Sequence, residues 1–170
     1  WNGCKFLEFN DCILDLNTNL NEIHLPVNNW IVHLHNQLNI KVKASIQDYK
    51  FNDAADVIYQ FIWKDYCDWY IEFAKNRIYG LDDKSKEAVI SIAVDTLKTI
   101  LKLLHPYTPF ITEEIWSYFK FNDSDFIINS SWPSADKKKI NQKTESDMNF
   151  IMLIISAIRK TKIILHKNRA

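Results

Sequence analysis

The sequence contains few of the residues that interrupt regular structure. Only two glycines and four prolines occur among its 170 residues. So few turn-forming residues over this length predict long helices with few corners. The sequence also contains no P-loop, no G-x-G-x-x-G and no G-x-S-x-G, the motifs of many nucleotide-binding and hydrolytic sites.

Cysteine is scarce as well, and long apolar runs are missing. Cys4, Cys12 and Cys67 are odd in number and form no C-x-x-C pair, which argues against a disulfide framework or a zinc site and favours a reducing cytoplasm. No apolar run approaches about 18 residues and there is no signal peptide, so neither membrane insertion nor secretion is expected. The chain opens at Trp1, in mid-pattern and without methionine. We interpret it as a piece of a larger protein.

The charges balance to a net of zero, but they are unevenly distributed. Residues 1–132 carry 12 Lys and Arg against 18 Asp and Glu, a net of −6, whereas residues 133–170 carry 9 against 3, a net of +6. Such a basic segment indicates either a polyanionic partner or a solvated helix face. Both interpretations stay open at this point.

The apolar positions recur at helical spacing, which predicts an all-α fold. Hydrophobic residues make up 47% of the chain, which disfavours disorder and is sufficient for one domain with a real core. We expect a single bundle over residues 1–170, with five or six helices and one long irregular loop. The expected helices are 1–9, Pro26 to about Tyr49, a helix capped by Asn52 and ending near Gly80, a fourth ending near His105, 109–119, and a last one capped by Ser146 or Asp147.

Three of these helices carry apolar stripes that predict their buried faces. The second helix should bury Trp30, Ile31, Leu34, Leu38, Val42 and Ile46. The stripe of the third comprises Phe51, Ala54, Ala55, Ile58, Ile62, Tyr66, Trp69 and Phe73. One face of the last helix comprises Ile151, Ile154, Ile155, Ile158 and Leu165. Residues 10–26 and 120–144 lack a sustained period and are expected to be loops, with 126–128 a short extended piece.

The stretch from 103 to 116 joins the fourth and fifth helices. Pro106 biases His105 away from the α conformation, so the fourth helix should stop there. Thr108 followed by Pro109 is typical of an N-cap and a first helical position. Thr112 is a second candidate cap. The plain interpretation is a sharp corner between two helices.

No catalytic site and no metal site is predicted. Glu113 and Glu114 are adjacent, so on a helix they point about 100° apart and cannot jointly flank one bond. Electrostatic complementarity with the start of the helix explains them better. His33 and His35 lie two residues apart, unlike the i, i+4 histidines of a zinc-binding helix.

Basic residues next to aromatic residues near the N-terminus suggest a binding surface. Lys5 and Phe6 lie close to Trp1, and lysines attract phosphates while exposed rings stack on unpaired bases. Taken alone, a Lys-Phe pair is more often a half-buried helix turn. The residues therefore leave binding and packing open.

Two long stretches, FNDAADVIYQFIWKDYCDWYIEF at 51–73 and LLHPYTPFITEEIW at 103–116, resemble the C-terminal anticodon-binding domain of class I aminoacyl-tRNA synthetases. Among these enzymes the valine members are the most similar, because they share F-N-x-A-A followed by W-x-x-[FY]-C-D-W-Y. WNGCKF at 1–6 is similar to their W-N-A-x-R-F, and Ile158-Arg159 to their final I-R-x-x-R. The resemblance covers essentially the whole chain.

This resemblance implies a helical bundle that binds the anticodon arm of tRNA(Val) and works with a catalytic domain of the same chain. That domain would use ATP and Mg and carry HIGH and KMSKS motifs. Neither motif occurs in these 170 residues, so the segment is expected to need no cofactor and to have no aminoacylation activity alone. A cytoplasmic monomer is expected.

The family's anticodon-side surface falls on Asn2, Lys5 and Phe6 of this sequence. The resemblance implies base stacking for Phe6, a phosphate or base contact for Lys5, and a base-edge hydrogen bond for Asn2. Lys5 stands where the family usually has arginine, which removes planar bidentate hydrogen bonding. The alternative is a structural or protein-interaction bundle with no RNA contact of its own.

Overall fold

The computed structural model describes Lys5, Leu7 and residues 25–80, 83–119 and 126–167. Within these residues the fold is an all-α bundle of five helical rods without strands. The rods comprise α1 (Pro26–Gln47); α2 (Phe51–Gln60), which continues through a π-helix (Phe61–Tyr70) into α3 (Ile71–Ile78); α4 (Asp83–Leu104); α5 (Pro109–Phe119); and α6 (Gln142–Lys167). No helix of the described ranges combines the length and apolar character needed to cross a membrane. The predicted fold class is confirmed.

Helix α1 begins and packs as its sequence predicts. Pro26 occupies the first turn, where a missing N–H is harmless. Trp30, Ile31, Leu38 and Val42 are buried in the main core, whereas Leu34 and Ile46 are partly buried against it. The same helix also buries five polar side chains that its apolar stripe does not predict, namely Asn28, His33, His35, Asn36 and Asn39.

The corner between α1 and α2 is closed by a tyrosine in the left-handed region. Tyr49 has a φ of 58°. Its N–H donates to the carbonyl of Ile46 at 3.0 Å, and the N–H of Lys50 donates to the carbonyl of Ser45 at 2.8 Å. These two bonds form a Schellman motif, whose left-handed position is normally glycine. A tyrosine there carries backbone strain of about 1–2 kcal/mol.

The long second rod confirms part of the predicted stripe, because Ala54, Ile58 and Tyr66 are buried, but the rest of its buried face differs. Its buried residues are Ala54, Ile58, Phe61, Tyr66, Tyr70, Ile71, Ala74 and Ile78. The predicted Phe51 is exposed, and Ile62, Trp69 and Phe73 are only partly buried. The π-helix explains the difference from residue 61 onward, because i→i+5 hydrogen bonds widen each turn and change the spacing of inward-facing residues. The predicted cap at Asn52 is also wrong, since Lys50 precedes the helix and no side chain caps it.

Two tyrosines of the π-helix connect it to α4. The hydroxyl of Tyr66 donates to the carbonyl of Ala93 at 2.8 Å. The hydroxyl of Tyr70 lies 3.2 Å from the carbonyl of Val89 and 3.3 Å from Oδ1 of Asn28. Both rings are buried and stack on each other, with centroids 6.0 Å apart. A buried tyrosine normally needs such a partner for its polar end, and α4 supplies it.

Helix α4 ends and α5 begins as predicted around the corner at 105–108. Tyr107 N–H donates to the carbonyl of Leu104 at 2.9 Å, and α5 starts at Pro109. The hydroxyl of Thr108 turns back to the carbonyl of Leu104 at 3.4 Å. On the outer side, the hydroxyl of Tyr107 donates to the carbonyl of Phe51 at 3.0 Å, which ties this corner to the start of α2.

The segment after α5 is irregular, as expected, but its details differ. Residues 127–129 and 137–139 form short 3₁₀ turns, so the predicted extended piece is largely wrong. Helix α6 starts earlier than predicted. Its cap is Asn141, whose Oδ1 accepts the N–H groups of Lys143 and Thr144 at 3.0 and 3.3 Å, so Ser146 and Asp147 lie inside the helix.

Helix α6 faces the bundle with a stripe that sequence periodicity does not predict. Met148 and Met152 are its buried apolar residues, one turn apart. The predicted Ile151, Ile154, Ile158 and Leu165 are exposed, and Ile155 is half-buried. Hydrogen bonds between α1 and the residues Asn141 and Glu145 set the rotation of α6 about its axis. Met148 and Met152 lie on the same face of α6 as these two residues, at helical spacing, and are therefore buried.

Candidate nucleic-acid interface

The predicted helix 1–9, which precedes α1, contains the three residues expected to bind RNA, and the structure describes one of them. Lys5 is helical and exposed, whereas Leu7 is buried in the main core. Two residues apart on a helix point to different sides, so the core contact of Leu7 and the exposure of Lys5 are consistent. Asn2 and Phe6 lie outside the described residues. The structure therefore leaves the contacts of Asn2, Lys5 and Phe6 with RNA as a prediction.

Basic residues of α6 form a second candidate surface. The guanidinium of Arg159 lies 5.4 Å from the centroid of the Trp69 ring, and Trp69 stacks on Phe73 with centroids 5.8 Å apart. Lys160 and Lys162 are exposed on the following turn. A cation–π contact uses the flat face of a guanidinium and leaves its N–H edge open to an acceptor. Arg159 thus anchors α6 to the π-helix while its edge stays available.

A polar cleft of about 580 Å³ lies between α1, α4 and the segment 131–144. Its charged lining comprises Lys98, Lys102, Lys138 and Lys139 against Asp95 and Asp136, so the wall is net positive. Lys102 is held in place, since its Nζ donates to the carbonyl of Ser131 at 3.3 Å and lies 5.7 Å from the centroid of the Trp116 ring. In the sequence, 137–139 is only a run of three lysines within the predicted loop 120–144, because the convergence of three distant segments depends on the tertiary fold.

His35 forms part of the cleft wall and is unusual for a buried polar residue. Its side chain is 9% exposed, and Nδ1 has no hydrogen-bond partner. Burial lowers the pKa of His35, the nearby Asp95 carboxylate raises it, and Lys139 lowers it further. The net direction is downward, so the ring is neutral at pH 7. An unpaired buried polar atom costs about 1–3 kcal/mol.

His33, two residues earlier, is fully satisfied and serves structure. Its side chain is 0% exposed. Nδ1 accepts the N–H of Asn141 at 2.9 Å, which makes Nε2 the protonated nitrogen of a neutral ring, and Nε2 donates to Oε2 of Glu145 at 2.9 Å. The same carboxylate oxygen accepts Nε2 of Gln142 at 2.9 Å. We call His33, Asn141 and Glu145 the α1–α6 clamp.

The corner at 105–113 is structural as well. Nδ1 of His105 lies 2.8 Å from Oγ1 of Thr112, whose hydroxyl in turn donates to the carbonyl of Thr108 at 2.9 Å. The two oxygens of Glu113 accept the N–H of Ile127 at 3.1 and 3.2 Å, so this carboxylate fixes the start of the irregular segment. Its neighbour Glu114 instead accepts the hydroxyl of Tyr118 at 2.9 Å. The two glutamates have separate structural partners.

Among the described residues, no three His, Cys, Asp or Glu side chains are grouped so that they could hold a metal ion. Burial raises the pKa of the Cys67 thiol, which keeps it protonated and a poor nucleophile at neutral pH. Burial also raises the pKa of Asp65, on the π-helix, to about 6. Lys64 and Lys41 oppose that rise, whereas Glu145 adds to it. These groups do not converge on one catalytic site.

Comparison with known proteins agrees with this picture. A sequence model of the anticodon-binding domain of tRNA ligases matches residues 28–170. The chain is 35% identical over 167 residues to the valine–tRNA ligase of Pelagibacter ubique, a match that covers 95% of this chain and 18% of the relative. It is 43% identical over 144 residues to the valine–tRNA ligase of Nitrobacter winogradskyi, covering 85% of this chain and 15% of the relative.

The valine–tRNA ligase of Clostridium perfringens gives a similar match, with 35% identity over 164 residues, 95% of this chain and 18% of the relative. The chain thus spans less than a fifth of the length of these relatives. The family match runs from the first turn of α1 through α6, so it includes every rod described above. The chain belongs to the family of anticodon-binding domains of tRNA ligases.

Proposed function

We propose that this chain is the module of a valine–tRNA ligase that binds the anticodon stem-loop of tRNA(Val). The observation that carries the proposal is the family match over residues 28–170, together with relatives that are valine–tRNA ligases over almost the whole chain. The exposed Lys5 and the exposed basic residues of α6 supply cations where a polyanion would need them.

The proposal includes a division of labour within a longer polypeptide. Residues 1–170 constitute one anticodon-binding domain, and a catalytic domain of the same chain performs the ATP-dependent attachment of valine. The relatives are more than five times as long as the segment that matches, and this sequence contains no HIGH or KMSKS motif. ATP and Mg would accordingly bind to the catalytic domain. A monomer acting in the cytoplasm is part of the same proposal.

Three residues of the predicted helix 1–9 are proposed to contact the anticodon loop. Phe6 stacks on an unpaired base, Lys5 contacts a phosphate or a base, and Asn2 hydrogen-bonds a base edge. Because lysine is a compact point charge, Lys5 contributes attraction with less geometric selectivity than an arginine would. Stacking by Phe6 would then contribute much of the loop affinity, about 1–3 kcal/mol per base.

The test is titration of the 170-residue chain with a fluorescently labelled tRNA(Val) anticodon stem-loop at several salt concentrations. We expect weak binding whose affinity falls as salt rises. Lys5→Ala should lower affinity roughly fivefold to tenfold and reduce the salt slope by about one phosphate contact. Lys64→Ala is the matched control, because Lys64 is an exposed lysine on the π-helix, and it should change affinity less than twofold.

A scrambled loop distinguishes readout from general attraction. Weaker binding of a hairpin with the same stem and a permuted loop supports anticodon recognition. If both hairpins bind equally and Lys5→Ala has no effect, the proposal fails and the chain is better regarded as a structural or protein-interaction bundle.

A further inference from the structure

The polar cleft between α1, α4 and segment 131–144 has the size and the chemical variety of a ligand site. Its volume of about 580 Å³ falls within the range of roughly 300–1,000 Å³ that is typical of small-molecule pockets. It lies apart in sequence from Asn2, Lys5 and Phe6, the residues proposed above to contact the anticodon loop. Its wall also contains features that helix packing alone does not require.

The positive charge of the cleft comes from two of its walls, with Lys98 and Lys102 on α4 and Lys138 and Lys139 on the 3₁₀ turn. Lys138 and Lys139 are exposed on the 3₁₀ turn and form no ion pair with other described residues. Asp136, the nearest acid in sequence, is engaged by the backbone, since its Oδ1 accepts the N–H of Lys138 at 3.0 Å. Two exposed ammonium groups that line one cleft without an ion pair to any described residue attract phosphate.

The rest of the wall suits a planar, polar group rather than a bare anion. Trp132 lines the cleft and is 43% exposed, so its ring is available for stacking. Asp95 is an exposed acceptor for hydroxyl or amino groups, and the neutral ring of His35 lines the wall with its Nδ1 buried. Inorganic phosphate would use the lysines alone. A nucleotide would use the lysines, the tryptophan and the polar wall together.

We propose that this cleft binds a nucleoside monophosphate unit, with its phosphate at Lys138 and Lys139 and its base against Trp132. The unit is either a free nucleotide or an unpaired nucleotide of an RNA, because the chemistry of recognition is the same. Asp95 accepts ribose hydroxyls or an exocyclic amine, and the ring of His35 forms part of the wall around the bound unit. The inference goes beyond anticodon-loop binding and does not require it.

The experiment follows the indole N–H signal of Trp132 in two-dimensional NMR spectra of the ¹⁵N-labelled 170-residue chain. Its signal among the six tryptophans is identified by its loss in Trp132→Phe. The four ribonucleoside 5′-monophosphates, their nucleosides, inorganic phosphate and a short single-stranded RNA are titrated separately. At least one monophosphate, or the RNA, should shift this signal with saturation. The corresponding nucleoside should bind about tenfold more weakly or worse.

Matched variants test the assignment of residues. Lys138→Ala/Lys139→Ala should weaken binding by about tenfold, whereas Lys41→Ala/Lys64→Ala, which removes two exposed lysines outside the cleft, should change it less than twofold. An unmoved Trp132 signal with every nucleotide and with RNA overturns the proposal. So does inorganic phosphate that competes as strongly as the best nucleotide, or a double variant at 138 and 139 that binds like the unaltered chain.

The remaining titrations distinguish a free nucleotide from a nucleotide within RNA, and they test the cleft proposal separately from anticodon-loop binding. Tighter binding of RNA than of any monophosphate identifies a nucleotide within RNA, and the reverse identifies a free nucleotide. If the anticodon stem-loop binds in a Lys5-dependent way but leaves Trp132 unmoved, the cleft proposal fails and the proposed function stands. If a monophosphate shifts the Trp132 signal and the stem-loop does not bind, the cleft proposal stands and the proposed function fails.

Discussion

His33 and His35 are two residues apart on α1, yet their surroundings are opposite. His33 has both ring nitrogens engaged in the α1–α6 clamp. His35 is nearly as buried, but its Nδ1 has no partner and its ring borders an open cleft. Burial of a polar ring therefore does not by itself identify its role. Whether its hydrogen-bonding capacity is used separates a histidine that holds two helices together from one that does not.

The largest expected effect comes from His33→Leu. This change leaves the Asn141 N–H without its acceptor and removes one of the donors to Glu145, which keeps Gln142, so two hydrogen bonds across the interface with α6 are lost. We expect the free energy of unfolding to fall by about 2–4 kcal/mol. Urea denaturation at pH 7, followed by circular dichroism, measures it. A loss below 1 kcal/mol would mean that the clamp does not hold α6.

The next largest effect concerns Asp65, which feels the clamp carboxylate of Glu145. Its pKa is raised from 3.8 to about 6, so the folded state binds a proton more tightly than the unfolded chain, and deprotonation costs folding free energy. The cost is absent below about pH 4, grows between pH 4 and 6 and is complete above pH 6. Asp65→Asn removes it. Two pKa units correspond to about 3 kcal/mol, and partial exposure reduces this to about 1–2 kcal/mol of added stability at pH 7.

Thermal unfolding of Asp65→Asn at pH 7 and pH 4 checks the sign. The melting temperature should rise by about 2–8 °C at pH 7, and the gain should nearly vanish at pH 4. Lys64→Gln on the unaltered chain serves as a control. Removing a cation that favours the carboxylate should change stability in the opposite direction at pH 7. A gain for Asp65→Asn that is the same at both pH values would contradict the raised pKa.

A smaller gain is expected at the other end of α1, where neither histidine ring is touched. Tyr49→Gly relieves the left-handed strain, although glycine adds entropy to the unfolded chain. The net expectation is about 0.5 kcal/mol of stabilisation, measured by urea denaturation. Tyr49→Ala removes the same ring without relieving the strain and should give no gain. Equal results for the two variants would show that the exposed ring, not the backbone, determines stability there.

The smallest effect on stability should come from His35→Leu, the same substitution as at His33. It removes a buried nitrogen that has no hydrogen-bond partner, so the loss of Nδ1 leaves no other group unpaired. The free energy of unfolding should therefore change by less than about 1 kcal/mol in either direction. Comparison with His33→Leu in the same denaturation series sharpens the contrast between the two sites. A loss as large as that of His33→Leu would mean that the His35 ring is a structural element.

Much of the fold follows from the sequence, and the exceptions have physical reasons. The bounds of α5 and the start of α1 agree with prediction because proline and apolar periodicity act locally. The cap of α6 at Asn141 is missed because Asn141 lies among other polar residues, and its role depends on a contact with His33 more than 100 positions away. The exposed isoleucines of α6 are missed for the same reason, since the clamp sets the rotation of that helix.

The candidate sites divide in the same way. Lys5 and Arg159 can be named from motifs, because a motif records a local pattern of side chains. The cleft cannot be predicted from the sequence, since His35, Asp95 and Trp132 come from three segments that only the packed bundle brings together. The histidine pair illustrates the limit well. Sequence spacing excludes a zinc helix, but it does not reveal that one ring is satisfied and its neighbour is not.

The π-helix of residues 61–70 determines how many residues the rod from Phe51 to Ile78 can hold. Each wide turn of a π-helix holds about one residue more than an α-helical turn. The rod can therefore hold its present number of residues only with this geometry. Deleting one residue there and restoring an ordinary α-helix would remove the additional residue, so the side chains that follow would keep nearly the same direction. Ile71, Ala74 and Ile78 should then stay in the interior. A single deletion in this segment should therefore be less damaging than a deletion in an ordinary α-helix such as α4, where it rotates everything that follows by about 100°.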